Sequence, residues 1–353
     1  MSAEVSNNPN LAGVEVESLK GWLPVDAVVA NERPGLFWMD MRGVKLSEPF
    51  FQQTVERLRA ELRARPEIFT EFDALIQLEK ISDSLKPSGF IFHSSRCGST
   101  LVANACKALE NSIVISEAYA IDKLVSRFSS DGADGGIKEL LYSIFVRGAV
   151  NAFGQRTPGK ERHFFVKFSS CSVAHLAHVQ RIWPDVPWLF VYRNPTETIV
   201  SNLSSIPEWL EPGKEARLLA GLIKTSIDEV ISMRREELCA RAIAGFYSIA
   251  NQLANGNNML LNYNQLSLPV LLSVIKFFKI TPSTGEIEAV TRASQVYSKD
   301  THSERAFIAD SDTKQLVASA LVREMAERWS TGPYQLLEQK RTEIASMHND
   351  EAC

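Results

Sequence analysis

The chain has 353 residues, 45% of them hydrophobic and 23% charged, with a net charge of −4 and a pI near 6.0. That composition is ordinary for a globular protein and excludes a disordered chain, and no apolar run reaches the roughly 20 residues of a membrane span. The acidic balance removes any general electrostatic case for nucleic acid and leaves room only for a local basic pocket. Partners are therefore expected among small molecules. Five cysteines, Cys97, Cys106, Cys171, Cys239 and Cys353, are scattered without C-x-x-C spacing, as for reduced cytosolic thiols. Residues 1–20 carry acidic groups and Asn where a signal peptide needs a basic start and an apolar core. A cytoplasmic protein, without a membrane tether, is expected.

In chain order, residues 1–20 are polar and read as loosely ordered as far as Trp22. A strand is predicted over 36–41. Phe51, Val55, Leu58 and Leu62 then form the apolar stripe of a helix whose start fits Ser47 and Pro49. Residues 1–85 carry no recognisable chemistry and are expected to be a small α+β appendage that packs on the main domain or makes an oligomer contact. From Gly89 onward short β-rich runs alternate with helical ones. Strands are predicted over 90–92, 112–115, 163–168, 188–192 and 259–263, and helices over 140–153, 173–183, 196–203 and 218–233. This is the pattern of an α/β domain with a parallel sheet covered by helices on both faces. It is expected to span 86–335, with 336–353 as a frayed helix and tail.

In open parallel sheets ligands bind outside the carboxyl ends of the strands. Ser94, Glu117, Ser169 and Arg193 all fall there. Loops over 131–136 and 204–213 lie where substrate lids sit.

The stretch 90–101 reads Phe-Ile-Phe-His-Ser-Ser-Arg-Cys-Gly-Ser-Thr-Leu. An apolar strand breaks into small polar residues and feeds a stretch in which Leu101, Ala105 and Leu109 recur at helical spacing. Ser94, Ser95, Gly98 and Ser99 let backbone N–H groups approach an anion closely, and a helix N-terminus adds its dipole. This P-loop-like turn is not the nucleoside-triphosphate version. In register with G-x-x-x-x-G-K-[ST], His93 stands for the first Gly and Ser99 for the Lys. Arg96 is its only cation, and an Arg fork suits a terminal phosphate or sulfate without a metal.

At Arg96-Cys97-Gly98-Ser99-Thr100 the chain resembles the sulfotransferase family that uses 3'-phosphoadenosine 5'-phosphosulfate (PAPS), and the likeness runs from about Gly89 to Arg305. The resemblance implies that residues 94–100 (Ser94, Ser95, Arg96, Cys97, Gly98, Ser99 and Thr100) hold the 5'-phosphosulfate, with Arg96 stabilising charge on the transferring group. Arg193 and Ser201 reproduce the family's Arg-x₇-Ser grip on the 3'-phosphate. Glu117, after the second strand of the domain, matches the position of a general base, although Ala118 stands where the family often has Pro. Burial is expected to raise its pKa toward a useful range. His93, at the end of the first strand of the domain, is the rival base. A late basic loop implies Lys299 or Arg305 over the nucleotide, and Lys167 reads as a solvated strand-end lysine.

PAPS would be the co-substrate, with no metal, and the acceptor a small molecule with a hydroxyl or amine. His175 and His178 share a helix face without a third ligand. The alternatives are a P-loop phosphotransferase or NTPase, which the missing Lys disfavours, and a non-catalytic nucleotide-binding protein of the same fold. Oligomeric state is left open.

Overall fold

The computed structural model describes residues 15–29, 33–61, 65–126, 136–156, 159–211, 213–295 and 310–350. Two sheets form. β1 (Trp22–Val28), β2 (Gly35–Asp40) and β3 (Glu67–Glu71) make an antiparallel sheet in that order. β4 (Gly89–His93), β5 (Ser112–Ser116), β6 (His163–Lys167), β7 (Trp188–Tyr192) and β8 (Met259–Asn262) make a fully parallel sheet in the order β5-β6-β4-β7-β8. The expected α/β architecture, a parallel sheet with helices on both faces, is what the chain adopts.

Every residue of β4 and β7 is buried, as parallel strands covered on both faces should be. Period-2 alternation sorts their side chains into two cores. Phe90, Phe92, Trp188, Phe190 and Tyr192 face one, with the helices Tyr119–Ser126, Ile137–Phe153 and Arg235–Leu253. Ile91, Leu189 and Val191 face the other, against the helices Ser99–Lys107, Leu268–Phe277 and Thr284–Gln295. The first core also runs into the N-terminal sheet through Val25, Leu36 and Trp38. Gln155 ties the two together, accepting from the Gly21 N–H at 3.1 Å and donating to the Trp22 carbonyl at 3.0 Å.

Several elements differ from expectation. Residues 218–233 are two helices, Ala216–Ile223 and Ile227–Ser232. Lys224 turns left-handed at φ 53°, and Ser226 with Glu229 starts a new helix as a capping box. Residues 173–183 begin as a 3₁₀ turn, Ser170–His175, before the helix Leu176–Ile182. The segment before Trp22 is not loose where it is described: Val16–Leu19 is a 3₁₀ helix with Leu19 fully buried.

The helix expected within 336–353 is present, and it starts earlier. Thr331–Asp350 is one helix that crosses the expected 335/336 boundary and buries Leu337 and Ile344. From it Glu338 accepts hydrogen bonds from Tyr192 and Asn262, at the tips of β7 and β8. Position 62 of the N-terminal stripe and residues 131–135 of the first loop lie outside the described residues. No helix among the described residues is long and apolar enough to cross a membrane.

Candidate active site

The loop after β4 is a backbone cradle. Ser94 N–H donates to the Val191 carbonyl at 3.0 Å, pinning the loop to β7. Ser95 and Arg96 are then both left-handed, at φ 71° and 49°. Successive residues of that kind turn their N–H groups to one side and form an anion nest. The N–H groups of Arg96, Cys97, Gly98 and Thr100 find no backbone acceptor among the described residues, and the helix Ser99–Lys107 begins beneath them.

Gly98 is required twice over. Its φ is 84°, and a Cβ there would stand 2.3 Å from Leu266 Cδ1. Cys97 is fully buried and its thiol donates to the Val191 carbonyl at 3.0 Å; burial raises its pKa, so it is a packing residue rather than a nucleophile. Ser95 Oγ donates to Asn202 at 2.8 Å. Arg96 does not reach into the nest: its guanidinium donates to the carbonyl and hydroxyl of Ser205, both at 2.5 Å. The loop's cation is thus held by the segment after the helix Pro195–Ser204.

Glu117 is left-handed at φ 54°, and its N–H donates to the Lys167 carbonyl at 2.7 Å. Strain of this kind persists where surrounding contacts hold it. The turn brings the Glu117 carboxylate onto two partners. Lys167 Nζ donates to Oε1, and His93 Nε2 lies 3.3 Å from the same oxygen. The Ser95 N–H donates to His93 Nδ1 at 3.1 Å, which assigns the ring proton to Nε2, facing Glu117.

This cluster corrects two expectations. Lys167 is not solvated; it is 1% exposed and lies 5.0 Å over the Phe50 ring. The Glu117 pKa is lowered, not raised, because Lys167 and His93 outweigh the upward push of burial.

Arg193, 3% exposed, leaves the tip of β7 and stacks over the Tyr263 ring at 3.9 Å. Its Nε donates to Glu197 at 2.7 Å, and one terminal nitrogen donates to Asp310 at 2.6 Å. Burial pushes the Asp310 carboxyl up, but the hydrogen bond and charge of Arg193 pull it below its ordinary value. Ser201, two turns along the helix, lines the same cavity as Arg193 and the nest. Lys299 and Arg305 lie outside the described residues.

One cavity of about 760 Å³ joins these parts. It runs from Arg193, Ser201 and Tyr263, past the nest and Glu117, to Asp122, Ser170, His175 and Trp209. Of the expected site residues that are described, all except Ser94 line it; Ser94 is fully buried behind it. Asp122 was not foreseen. Its Oδ1 accepts from Ser172 Oγ at 2.8 Å and from the Ser169 N–H at 3.3 Å. Burial pushes its pKa up to about 7, with the Glu117 charge adding to the rise and Ser172 opposing it. Burial likewise holds the His175 pKa down at about 4, so that ring is neutral. No spacing signal marks Asp122, whereas Lys167 was visible as one more polar residue in the row of strand ends.

Among known proteins, no family model and no curated protein matches the chain. Solved structures with a likeness include a sulfotransferase from Alicyclobacillus acidocaldarius, at 13% identity and a TM-score of 0.36, over 69% of this chain and 96% of that one. The sulfotransferase domain of the olefin synthase from Synechococcus PCC 7002 has 13% identity and a TM-score of 0.38, over 72% of this chain and 94% of that domain.

Proposed function

We propose that this protein transfers a sulfuryl group from PAPS to a hydroxyl or amine of a small-molecule acceptor. The observation that carries this reading is the convergence in one cavity of a backbone anion nest with Glu117 and His93, the carboxylate being held by Lys167 behind them. The nest N–H groups suit the 5'-phosphosulfate. Arg193 and Ser201 suit the 3'-phosphate, provided that Asp310 yields its place on the guanidinium.

In the reaction an acceptor oxygen or nitrogen attacks sulfur as the bond from sulfur to the phosphate oxygen breaks. The bonding pair leaves with adenosine 3',5'-bisphosphate, and the acceptor's proton passes to Glu117. A loose transition state asks the protein mainly for positioning and charge. Lys167 holds the base from behind the cavity. As long as it is paired with Glu117, the carboxylate is a poor base. Transfer of the proton to Glu117 therefore requires that pair to loosen.

A nucleoside triphosphate fits less well, because Ser99 stands where the phosphate-gripping Lys would be. Thermal shift with adenosine 3',5'-bisphosphate, ATP, GTP and NAD tests the donor before any acceptor is known. The bisphosphate should stabilise the protein and the others should not. Metal-dependent release of phosphate from ATP would overturn the reading in favour of an NTPase.

A further inference from the structure

Beyond Glu117 the cavity continues along a wall that the donor does not need. It is built by the helix Tyr119–Ser126, the turn Ser170–His175 and residues 207–211 and 213–215. Asp122, Glu208 and Glu215 stand on it. The nearby cations are already engaged: Lys123 with Asp26 at 2.6 Å, and Lys214 with Glu208 at 3.3 Å. Neither Asp122 nor Glu215 forms an ion pair among the described residues. Cys171 lines the same cavity. Burial raises its thiol pKa, and the charges of Glu215, Asp122, Glu117 and Glu208 all push it further the same way.

A second, independent feature points to a ligand at this wall. Ser170 is only 6% exposed, lines the cavity, and its hydroxyl makes no hydrogen bond among the described residues. Trp209, also 6% exposed and also lining the cavity, has a buried Nε1 without a partner. Buried polar groups are rarely left unpaired unless something else completes them. The wall therefore combines two carboxylates, Asp122 and Glu215, that have no cationic partner among the described residues with an open hydrogen-bonding position at Ser170.

We infer that this end of the cavity takes an acceptor that carries a protonated amine, seated against Asp122 and Glu215, with its reacting hydroxyl directed toward Glu117. A neutral ligand would leave the carboxylates with no cation and only a proton to offset their charge, and an anionic one would add to the repulsion. The protonated amine is the anchor, not the nucleophile, since it has no lone pair. The chemistry done to this ligand rests on the sulfuryl-transfer reading; its charge class rests on the wall alone.

Three phenols of similar size separate the two: tyramine, 4-ethylphenol and 4-hydroxyphenylacetate. Calorimetry on the full chain, with and without adenosine 3',5'-bisphosphate, should give tyramine an affinity about tenfold above 4-ethylphenol, with the carboxylate weakest. Asp122→Asn keeps an acceptor for Ser172 and should collapse that preference, while its bisphosphate affinity reports an intact fold. Equal affinities, no binding of any phenol, or a preference that survives Asp122→Asn combined with Glu215→Gln would overturn the inference. Tyramine preference without sulfation by PAPS would leave the inference standing and sink the sulfuryl-transfer reading. Equal sulfation of all three would do the reverse.

Discussion

The two ends of the proposed donor site are built from different materials. The 5' end is backbone: N–H groups of 96–98 and 100 held in a left-handed turn, with Gly98 packed against Leu266 and Tyr263. It is complete without a ligand and presents open donors. The 3' end is side chain: Arg193 is already satisfied by Glu197 and Asp310 and stacked on Tyr263. There an incoming phosphate exchanges one anion for another. In the proposed reading the first subsite, being pre-organised, would set affinity and the second would select, because only an anion that outcompetes Asp310 gains from it.

The largest expected effect lies between the two ends. Glu117→Gln should lower turnover about 10²-fold or more with donor affinity nearly unchanged, measured by initial rates and calorimetry. If His93→Asn abolishes transfer and Glu117→Gln retains it, the base is His93. Next, Arg193→Ala should weaken adenosine 3',5'-bisphosphate about 10- to 100-fold relative to adenosine 5'-phosphate. Ser201→Ala should act in the same direction. Equal losses for both ligands would erase the contrast drawn between the ends. A smaller effect is expected at Asp310→Asn, which should tighten the bisphosphate by about threefold and leave adenosine 5'-phosphate unchanged. Weaker bisphosphate binding in that variant would show that Asp310 supports Arg193 rather than competing with the ligand.

A separate effect is on stability against pH. Asp122 has a folded pKa near 7, above its ordinary 3.8, so the folded state holds a proton that the unfolded chain loses. Its contribution is full below about pH 4 and lost as pH rises to about 7. Asp122→Asn should remove that decline, so that it appears as the difference between the two stability profiles in urea titrations. An unchanged profile would place Asp122 in a more solvated setting.

Much of this was legible in the sequence where local rules dominate. The sheet was visible because β4, β5, β6 and β7 are short apolar runs punctuated by polar residues at their carboxyl ends. The nest was visible because small residues and Gly98 are what such a turn demands. What stayed hidden depends on neighbours distant in the chain. The ordinary rule that a strand-end Lys is solvated failed for Lys167 because Glu117 and Phe50 cover it. Burial alone gave the wrong direction for Glu117, since the partner that reverses it lies on β6. Arg96 was expected in the nest, and Ser205, more than 100 positions later, holds it elsewhere. The helix Arg235–Leu253 was not foreseen; Leu238, Cys239, Ala242, Ile243, Phe246 and Tyr247 bury much of its circumference and blur a one-face pattern.

The strand order has a consequence for how the chain acquires its site. β4 has no neighbour adjacent in sequence: Ile91 pairs with Lys167, and His93 with Val191. The left-handed residues at 95 and 96 rest on Val191, and the turn at Glu117 rests on the Lys167 carbonyl. During synthesis on the ribosome those supports emerge long after the turns that need them. Long-range closures of this type slow folding. The nascent cradle is therefore expected to stay unformed until β7 has left the exit tunnel, and a chain stalled before residue 188 should bind no anion at all.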